Sequence, residues 1–108
     1  MELKIKEYSI PLSSTDIIDV KLFIKKNEVV KFSLNYRSEI NEVWYQIYRV
    51  DSYHGYLHEQ KFWISPRPIK LPYLEIYPLS HVFKLYMTEI KNNFRRYKEL
   101  YGNVMRGL

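Results

Sequence analysis

The segment from Tyr48 to Glu59 holds the side chains best suited to chemistry. It reads Tyr-Arg-Val-Asp-Ser-Tyr-His-Gly-Tyr-Leu-His-Glu and contains two of the three histidines of the chain. A histidine with a pKa near neutrality can accept or donate a proton, and an arginine can bind a phosphate through paired hydrogen bonds. Together with an aspartate and tyrosines, these groups suffice for metal-independent cleavage of RNA, in which the 2′-hydroxyl is the nucleophile.

Each of these residues has a specific role in such a reaction. His58 acts as the general base or acid, and His54 or a tyrosine acts as its counterpart. Arg49 holds the scissile phosphate, and Asp51 orients one of its neighbours. DNA is not cut because it lacks the 2′-hydroxyl.

Two other interpretations of the same residues stay open. Asp51, His54 and His58 offer nitrogen and oxygen ligands for a divalent ion, but their spacing is not diagnostic, so no metal and no cofactor is predicted. Alternatively, Arg49 forms a surface ion pair with Asp51 or Glu59, and the histidines are ordinary polar residues at the end of a hairpin.

The alignment of the two strands around this segment decides whether a site exists. Opposed residues of an antiparallel pair share one face of the sheet. A four-residue loop after Asp51 places Arg49 opposite His58. A five-residue loop places Arg49 opposite Glu59 and moves His58 to the other face. We favour the four-residue loop, which brings to one face Arg49, Asp51, His58 and Gln60, with His54 at the rim.

Alternation of apolar and polar residues predicts a sheet of about five strands. The strands are predicted over residues 3–10, 18–25, 30–36, 43–51 and 56–64. Pro11 is expected to end the first strand. Residues 65–72 contain three prolines and are expected to form an extended loop, because proline cannot donate to a strand ladder.

One helix is predicted over residues 80–101, where apolar side chains recur at steps of three and four. Ser80 is expected to cap its start and Gly102 to close its end. At ~1.5 Å per residue this helix would cross a whole sheet. The prediction is therefore one α+β domain over residues 1–108, in which the C-terminal helix packs across one face of a twisted antiparallel sheet.

The charge of the chain favours a polyanionic partner. Its net charge is +5, which suits RNA or an acidic protein. The helix carries a basic stripe that, with Arg67 and Lys70 of the proline-rich loop, can follow a phosphate backbone. The nucleic-acid-binding candidates are Lys84, Lys91, Arg95, Lys98 and Arg67. The other interpretation is that these long side chains cover the edge of the apolar stripe while their charges stay in water.

Composition excludes several classes of protein. The chain has no cysteine, so disulfides and thiol catalysis are excluded. No apolar run is long enough for a membrane helix and no signal-peptide pattern opens the chain, which predicts a cytoplasmic protein. Aromatic residues make up 17%. Because one helix covers only one face of the sheet, the uncovered face is expected to carry either Trp44 and Trp63 or Tyr45 and Phe62. Such a face predicts a homodimer or another partner.

Residues 49–58, Arg-Val-Asp-Ser-Tyr-His-Gly-Tyr-Leu-His, resemble a segment of the TumE-like group of small toxins from prokaryotic toxin–antitoxin modules. Those proteins are short α+β chains with an Arg/Tyr-x-Asp-x-x-His-Gly-x-x-His type segment after a strand and a helix near the C-terminus. This chain departs from the pattern at Gln60, where a further histidine is expected. The resemblance implies a toxic, ribonuclease-like activity restrained by an antitoxin, and carries over Arg49, Asp51, His54 and His58.

The sequence therefore predicts a small, toxin-like nuclease directed at RNA. The alternative is a non-catalytic domain that binds nucleic acid or protein, from a mobile element or a virus.

Overall fold

The computed structural model describes residues 2–73 and 77–107. Within them the chain forms an open antiparallel sheet of six strands, in which each strand pairs with the next along the chain, and one helix packed on the sheet. The α+β prediction is confirmed. The elements are β1 (Leu3–Ser13), β2 (Asp16–Lys25), β3 (Glu28–Ile40), β4 (Val43–Asp51), β5 (His58–Lys61), β6 (Ile69–Lys70) and α1 (Leu79–Met105).

Two tight turns set the hairpins β2–β3 and β3–β4. Lys26 and Asn27 both have positive φ, as do Asn41 and Glu42. Positive φ at both central residues gives a turn whose twist matches that of the flanking strands. β3 consequently continues to Ile40, through a stretch for which the sequence predicted a polar connection. The polar residues there do not end the strand, because one face of the sheet is solvated.

The edges of the sheet differ from the prediction. β1 runs through Pro11 to Ser13, with a bulge between these residues. A proline is tolerated there because β1 is an edge strand, and Lys4 and Lys6 hinder its pairing with another chain. At the other edge, Ile69–Lys70 of the proline-rich segment pairs with β5 as the sixth strand.

The core lies between α1 and one face of the sheet. Fully or almost fully buried residues include Ile18, Val20, Phe32, Leu34, Tyr36, Tyr48 and Val50 of the strands and Met87, Ile90 and Phe94 of α1. Burying each such side chain contributes about 1.5–3 kcal/mol. The predicted apolar stripe of the helix is therefore the surface that holds it on the sheet.

Both predicted helix boundaries are wrong. α1 begins at Leu79, after Pro78, and Ser80 is its second residue rather than its cap. It also continues through Gly102, which is buried, and Gly107, with a φ of 75°, follows the end instead. A glycine after the last turn relieves the strain of that positive φ, and Gly107 rather than Gly102 does so. The helix is too polar to cross a membrane, and the described residues contain no other helix long enough to do so.

We call the sheet face opposite α1 the open face. Alternation along the paired strands assigns to it Lys21, Phe23, Lys31, Asn35, Arg37, Trp44, Gln46, Arg49, Asp51 and His58. Neither predicted aromatic pair lies on it. Trp63 packs on Tyr97 of α1, with ring centres 5.0 Å apart, and Tyr45 packs on Tyr101 at 5.6 Å. Trp44 and Trp63 are separated because β5 ends at Lys61, so the predicted strand alternation does not reach Trp63. The homodimer stays a prediction.

Candidate functional site

The hairpin β4–β5 has a longer loop than either alternative predicted. Asp51 pairs with His58 and Arg49 pairs with Gln60, so residues 52–57 form the connection. The loop is longer because Ser52 still exchanges hydrogen bonds with Phe32 of β3. The loop has six residues instead of the four predicted. Because the difference is an even number, the same side chains still share one face of the sheet. The predicted grouping on one face is therefore confirmed, although the predicted partner of Arg49 is wrong.

A buried carboxylate organises this part of the open face. Asp51 is only 1% exposed. Its Oδ2 accepts a hydrogen bond from Nε of Arg49 at 2.7 Å, and its Oδ1 lies 3.1 Å from Nε2 of His58. The backbone N–H of Tyr53 donates to the same Oδ1 at 3.0 Å. The anion held between Arg49 and His58 is thus the protein's own carboxylate. We call Arg49, Asp51 and His58 the Asp51 cluster.

The cluster leaves one nitrogen of His58 unused. A carboxylate oxygen 3.1 Å from Nε2 favours the proton on that nitrogen, which places the lone pair of a neutral His58 ring on Nδ1. Nδ1 is buried and has no hydrogen-bond partner within the described residues. Buried polar atoms without a partner are rare and costly, and such atoms often serve binding or catalysis. His58 itself is 6% exposed, so a ligand can reach only an edge of its ring.

His54 lies over the same region and is exposed. Its ring centre is 6.0 Å from that of His58, and the ring of Tyr56 is 5.3 Å from His58 on centres. His54 has a φ of 67° and is followed by Gly55 at 79°. A non-glycine residue at positive φ is strained by ~1 kcal/mol or more, which the surrounding turn must offset. The turn therefore holds His54 at the rim, where the sequence predicted it.

These side chains border a cleft of about 580 Å³. Its lining residues are Arg49, Asp51, Tyr53, His54, Tyr56, His58, Gln60 and Pro68. Gln60, which stands where the resemblance leads us to expect a further histidine, does not supply a catalytic group. Its side-chain amide donates to the carbonyl of Pro66 at 2.7 Å. It instead fixes the proline-rich loop along the cleft.

Two cations adjoin the cleft. Arg49 uses its Nε for Asp51, and its Cζ lies 5.6 Å from the ring centre of Tyr53. Lys70 pairs with His58 across β5 and β6, and its Nζ lies 5.5 Å from the ring centre of Tyr56. The sequence groups Lys70 with the basic stripe of the helix and not with this cleft, because nothing in a proline-rich segment indicates a two-residue strand. An anionic ligand would meet positive charge on two sides.

The predicted nucleic-acid-binding residues of α1 do not join this cleft. α1 packs on the other face of the sheet, so Lys84, Lys91 and Arg95 lie away from the Asp51 cluster. Arg95 lies over the ring of Phe94, with its Cζ 4.6 Å from the ring centre, as expected when a long side chain covers apolar surface. Lys98 has a structural contact, since its Nζ is 3.2 Å from Oγ1 of Thr15. Arg67 is exposed in the proline-rich loop.

A second buried carboxylate was missed in the sequence. Asp16 is 4% exposed and accepts hydrogen bonds from the hydroxyls of Ser13 at 2.5 Å, Tyr36 at 2.6 Å and Ser38 at 2.7 Å. Burial raises the pKa of Asp16, but these hydrogen bonds and the charge of Lys98 outweigh it and hold the pKa below its ordinary value. We call these residues the Asp16 cluster. Within a Ser-Ser-Thr-Asp run the sequence indicated only a turn.

The predicted alternative of a metal site finds no ligand set in the structure. Within residues 2–73 and 77–107, no three His, Asp or Glu side chains are grouped so that they could hold a metal ion. Asp51, His54 and His58 are neighbours, but Asp51 is already bound to Arg49 and His58.

Comparison with known proteins finds a matching family whose function is unknown. A family model described as a domain of unknown function, DUF7718, matches residues 3–106. No curated protein matches the chain, and no solved structure does.

Proposed function

The chain belongs to the DUF7718 family, and from the site that its own fold builds we propose that it is a small, toxin-like ribonuclease. One observation carries the proposal. The Asp51 carboxylate orients Arg49 and His58 on the open face and leaves Nδ1 of His58 unpaired beside an exposed second histidine. A carboxylate behind one ring nitrogen and a free lone pair on the other is the arrangement of a general base.

The proposed reaction follows from these positions. Nδ1 of His58 takes the proton of the 2′-hydroxyl, whose oxygen attacks the adjacent phosphorus. The bond from phosphorus to the 5′-oxygen breaks, and protonated His54 gives its proton to that oxygen. The products are a 2′,3′-cyclic phosphate and a 5′-hydroxyl. Asp51 stabilises the positive charge that forms on His58.

Arg49 and Lys70 bind the phosphate in this reaction. The terminal amino groups of Arg49 and the ammonium of Lys70 donate to its non-bridging oxygens, whose negative charge grows in the transition state. Because Nδ1 is buried in the free protein, a neighbouring side chain must shift when RNA binds. Catalytic hydrogen bonds commonly form only in such a complex.

A non-catalytic binding domain is the second candidate, and one observation favours it. Asp51 neutralises Arg49 and covers one nitrogen of a nearly buried His58, which is also how a purely structural ion network is built. An acidic partner, such as an antitoxin, would then bind to the basic surface without any reaction. The ribonuclease requires the side chains of His54 and His58, whereas the binding domain does not.

Incubation of the purified protein with RNA in the presence of a chelator tests the proposal. We expect cleavage products with 2′,3′-cyclic phosphate ends, no cleavage of 2′-O-methyl RNA, and a loss of ~10²–10⁴-fold in rate in the double variant His54→Ala/His58→Ala. His81→Ala is the matched control, because His81 is exposed at the start of α1. Cleavage that survives the double variant, or that His81→Ala also abolishes, contradicts the assignment.

A further inference from the structure

Basic and aromatic side chains are paired on the open face, not on the helix where the sequence placed the nucleic-acid-binding candidates. The described residues form six cation–ring contacts, and five involve this face or its cleft. Lys21 and Lys31 both lie over Phe23, Arg37 over Trp44 and Arg49 over Tyr53. Such pairs offer a flat ring for a base and a charge for its phosphate.

A trough lined by Lys21, Arg37, Trp44, Arg49 and Tyr53 adjoins the cleft. Its volume is about 730 Å³, and Arg49 and Tyr53 line both the trough and the cleft. Trp44 stands at its far end and is 39% exposed. Along β4, Trp44 and Arg49 are separated by roughly 16 Å at ~3.3 Å per residue. The trough therefore has room for several nucleotides beside the phosphate at Arg49.

Hydrogen bonds fix the polar side chains of the trough before any ligand binds. Asp19 accepts from Nε of Arg37 at 2.8 Å and from Nη2 at 3.3 Å, and Ser9 donates to it at 2.7 Å. This pair holds the guanidinium 4.9 Å from the ring centre of Trp44. Asn35 and Gln46 are hydrogen-bonded to each other through their side-chain amides. Rings and amides that are already ordered lose little conformational entropy on binding.

We infer that this trough is a track for single-stranded RNA that leads a phosphate to the Asp51 cluster. One base stacks on Trp44 and another on Tyr53. Arg37 and Lys21, paired in the free protein with Asp19 and Glu7, turn their remaining N–H groups to the backbone phosphates. Sheets with exposed aromatic rings bind single strands in this way, and a duplex does not fit because its bases are stacked on each other. The inference rests on the proposed function for the cleavage step, although binding in the trough does not require it.

The two tryptophans allow a direct test, because only Trp44 lies on the open face. The ligand is a single-stranded 2′-O-methyl oligonucleotide, which cannot be cleaved through its 2′-position. In Trp63→Phe, where Trp44 is the remaining tryptophan, we expect binding to quench the fluorescence. In Trp44→Phe, where only Trp63 remains, we expect no quenching. In a separate titration, Trp44→Ala should weaken binding about tenfold, whereas the control Arg96→Ala, at an exposed position of α1 outside the basic stripe, should bind as the unchanged protein does.

The outcomes of these experiments distinguish RNA binding in the trough from RNA cleavage at the Asp51 cluster. Binding that Trp44→Ala leaves unchanged, equal binding of a duplex, or no binding overturns the track. A second copy of the chain in the trough, seen as a concentration-dependent mass in the absence of RNA, also overturns it. If the oligonucleotide binds as expected but unmodified RNA is not cut, the track stands and the ribonuclease proposal fails. Circular dichroism of Trp63→Phe checks that its fold is retained.

Discussion

Among the described residues two aspartates are buried, one on each face of the sheet: Asp16 and Asp51. They differ in whether the polar groups around them all have hydrogen-bond partners. In the Asp16 cluster, the hydroxyls of Ser13, Thr15, Tyr36 and Ser38 and the ammonium of Lys98 surround the carboxylate, and the hydroxyl of Tyr36 also donates to the backbone carbonyl of Phe94 in α1. In the Asp51 cluster, Nδ1 of His58 has no partner beside an open cleft. A saturated network stabilises the fold, whereas an unsaturated one is available to a ligand.

Asp51→Asn is the variant with the largest expected effect on catalysis. The amide cannot stabilise a positive charge on His58 and can change the ring tautomer, so we expect the rate of RNA cleavage to fall about a thousandfold. The circular dichroism spectrum should stay native. The rate is measured with a labelled RNA, beside Asp16→Asn as the matched buried carboxylate. Equal rates in Asp51→Asn and in the unchanged protein would contradict the role of Asp51.

Asp16→Asn should have the opposite profile. Here an amide replaces a buried anion that four hydroxyls and an ammonium surround, which we expect to lower the free energy of unfolding by ~3 kcal/mol. Urea denaturation measures this change. The cleavage rate, compared at a temperature where both proteins are folded, should change little. A stability equal to that of the unchanged protein would show that the Asp16 cluster does not hold α1 on the sheet.

Acid should remove the contribution of Asp16. Its pKa is lower in the folded protein than the ordinary value of 3.8, so the unfolded chain binds the proton first as the pH falls. The stabilisation is therefore fully present above about pH 4 and decreases as the pH drops through the lowered pKa. We expect the stability difference between the unchanged protein and Asp16→Asn to shrink across that range in urea titrations. A difference that is independent of pH would exclude this ionisation as the cause.

Removal of a single hydroxyl from the Asp16 cluster should have a smaller effect. Tyr36→Phe keeps the buried ring but takes a donor from Asp16 and from the carbonyl of Phe94, at a cost of ~1 to 2 kcal/mol in the free energy of unfolding. Burial and Asp16 also raise the pKa of Tyr36, so this hydroxyl stays protonated at any physiological pH. Tyr53→Phe, on the other face, serves as the control in thermal unfolding and should leave the midpoint almost unchanged.

The smallest expected effect separates two lysines of the helix. Lys98 contacts Thr15 and Asp16, whereas Lys91 is exposed. Lys98→Ala should therefore lower the free energy of unfolding by about 0.5 kcal/mol, and Lys91→Ala should leave the melting temperature unchanged. If both variants melt alike, the contact of Lys98 with the Asp16 cluster contributes nothing measurable.

Local pattern was sufficient for part of the candidate site. Alternation in β4 predicted that Arg49 and Asp51 share a face, and His58 joined them because the real loop differs in length by an even number from the predicted one. The loop length itself was not predictable, because it depends on hydrogen bonds between Ser52 and Phe32 of β3, which lies outside the β4–β5 hairpin. The position of Lys70 beside the cleft was not predictable for the same reason, since a two-residue strand is defined only by its partner.

The sequence by itself determined the α+β class, most strand positions and the apolar stripe of α1, because each depends on a period of two or 3.6 residues within one segment. Only the tertiary structure decided which carboxylate ties the helix to the sheet, which ring nitrogen lacks a partner and which face carries the paired cations and aromatic rings. These features depend on residues far apart in the chain. Their distances are set by strand register and bulges rather than by local preference.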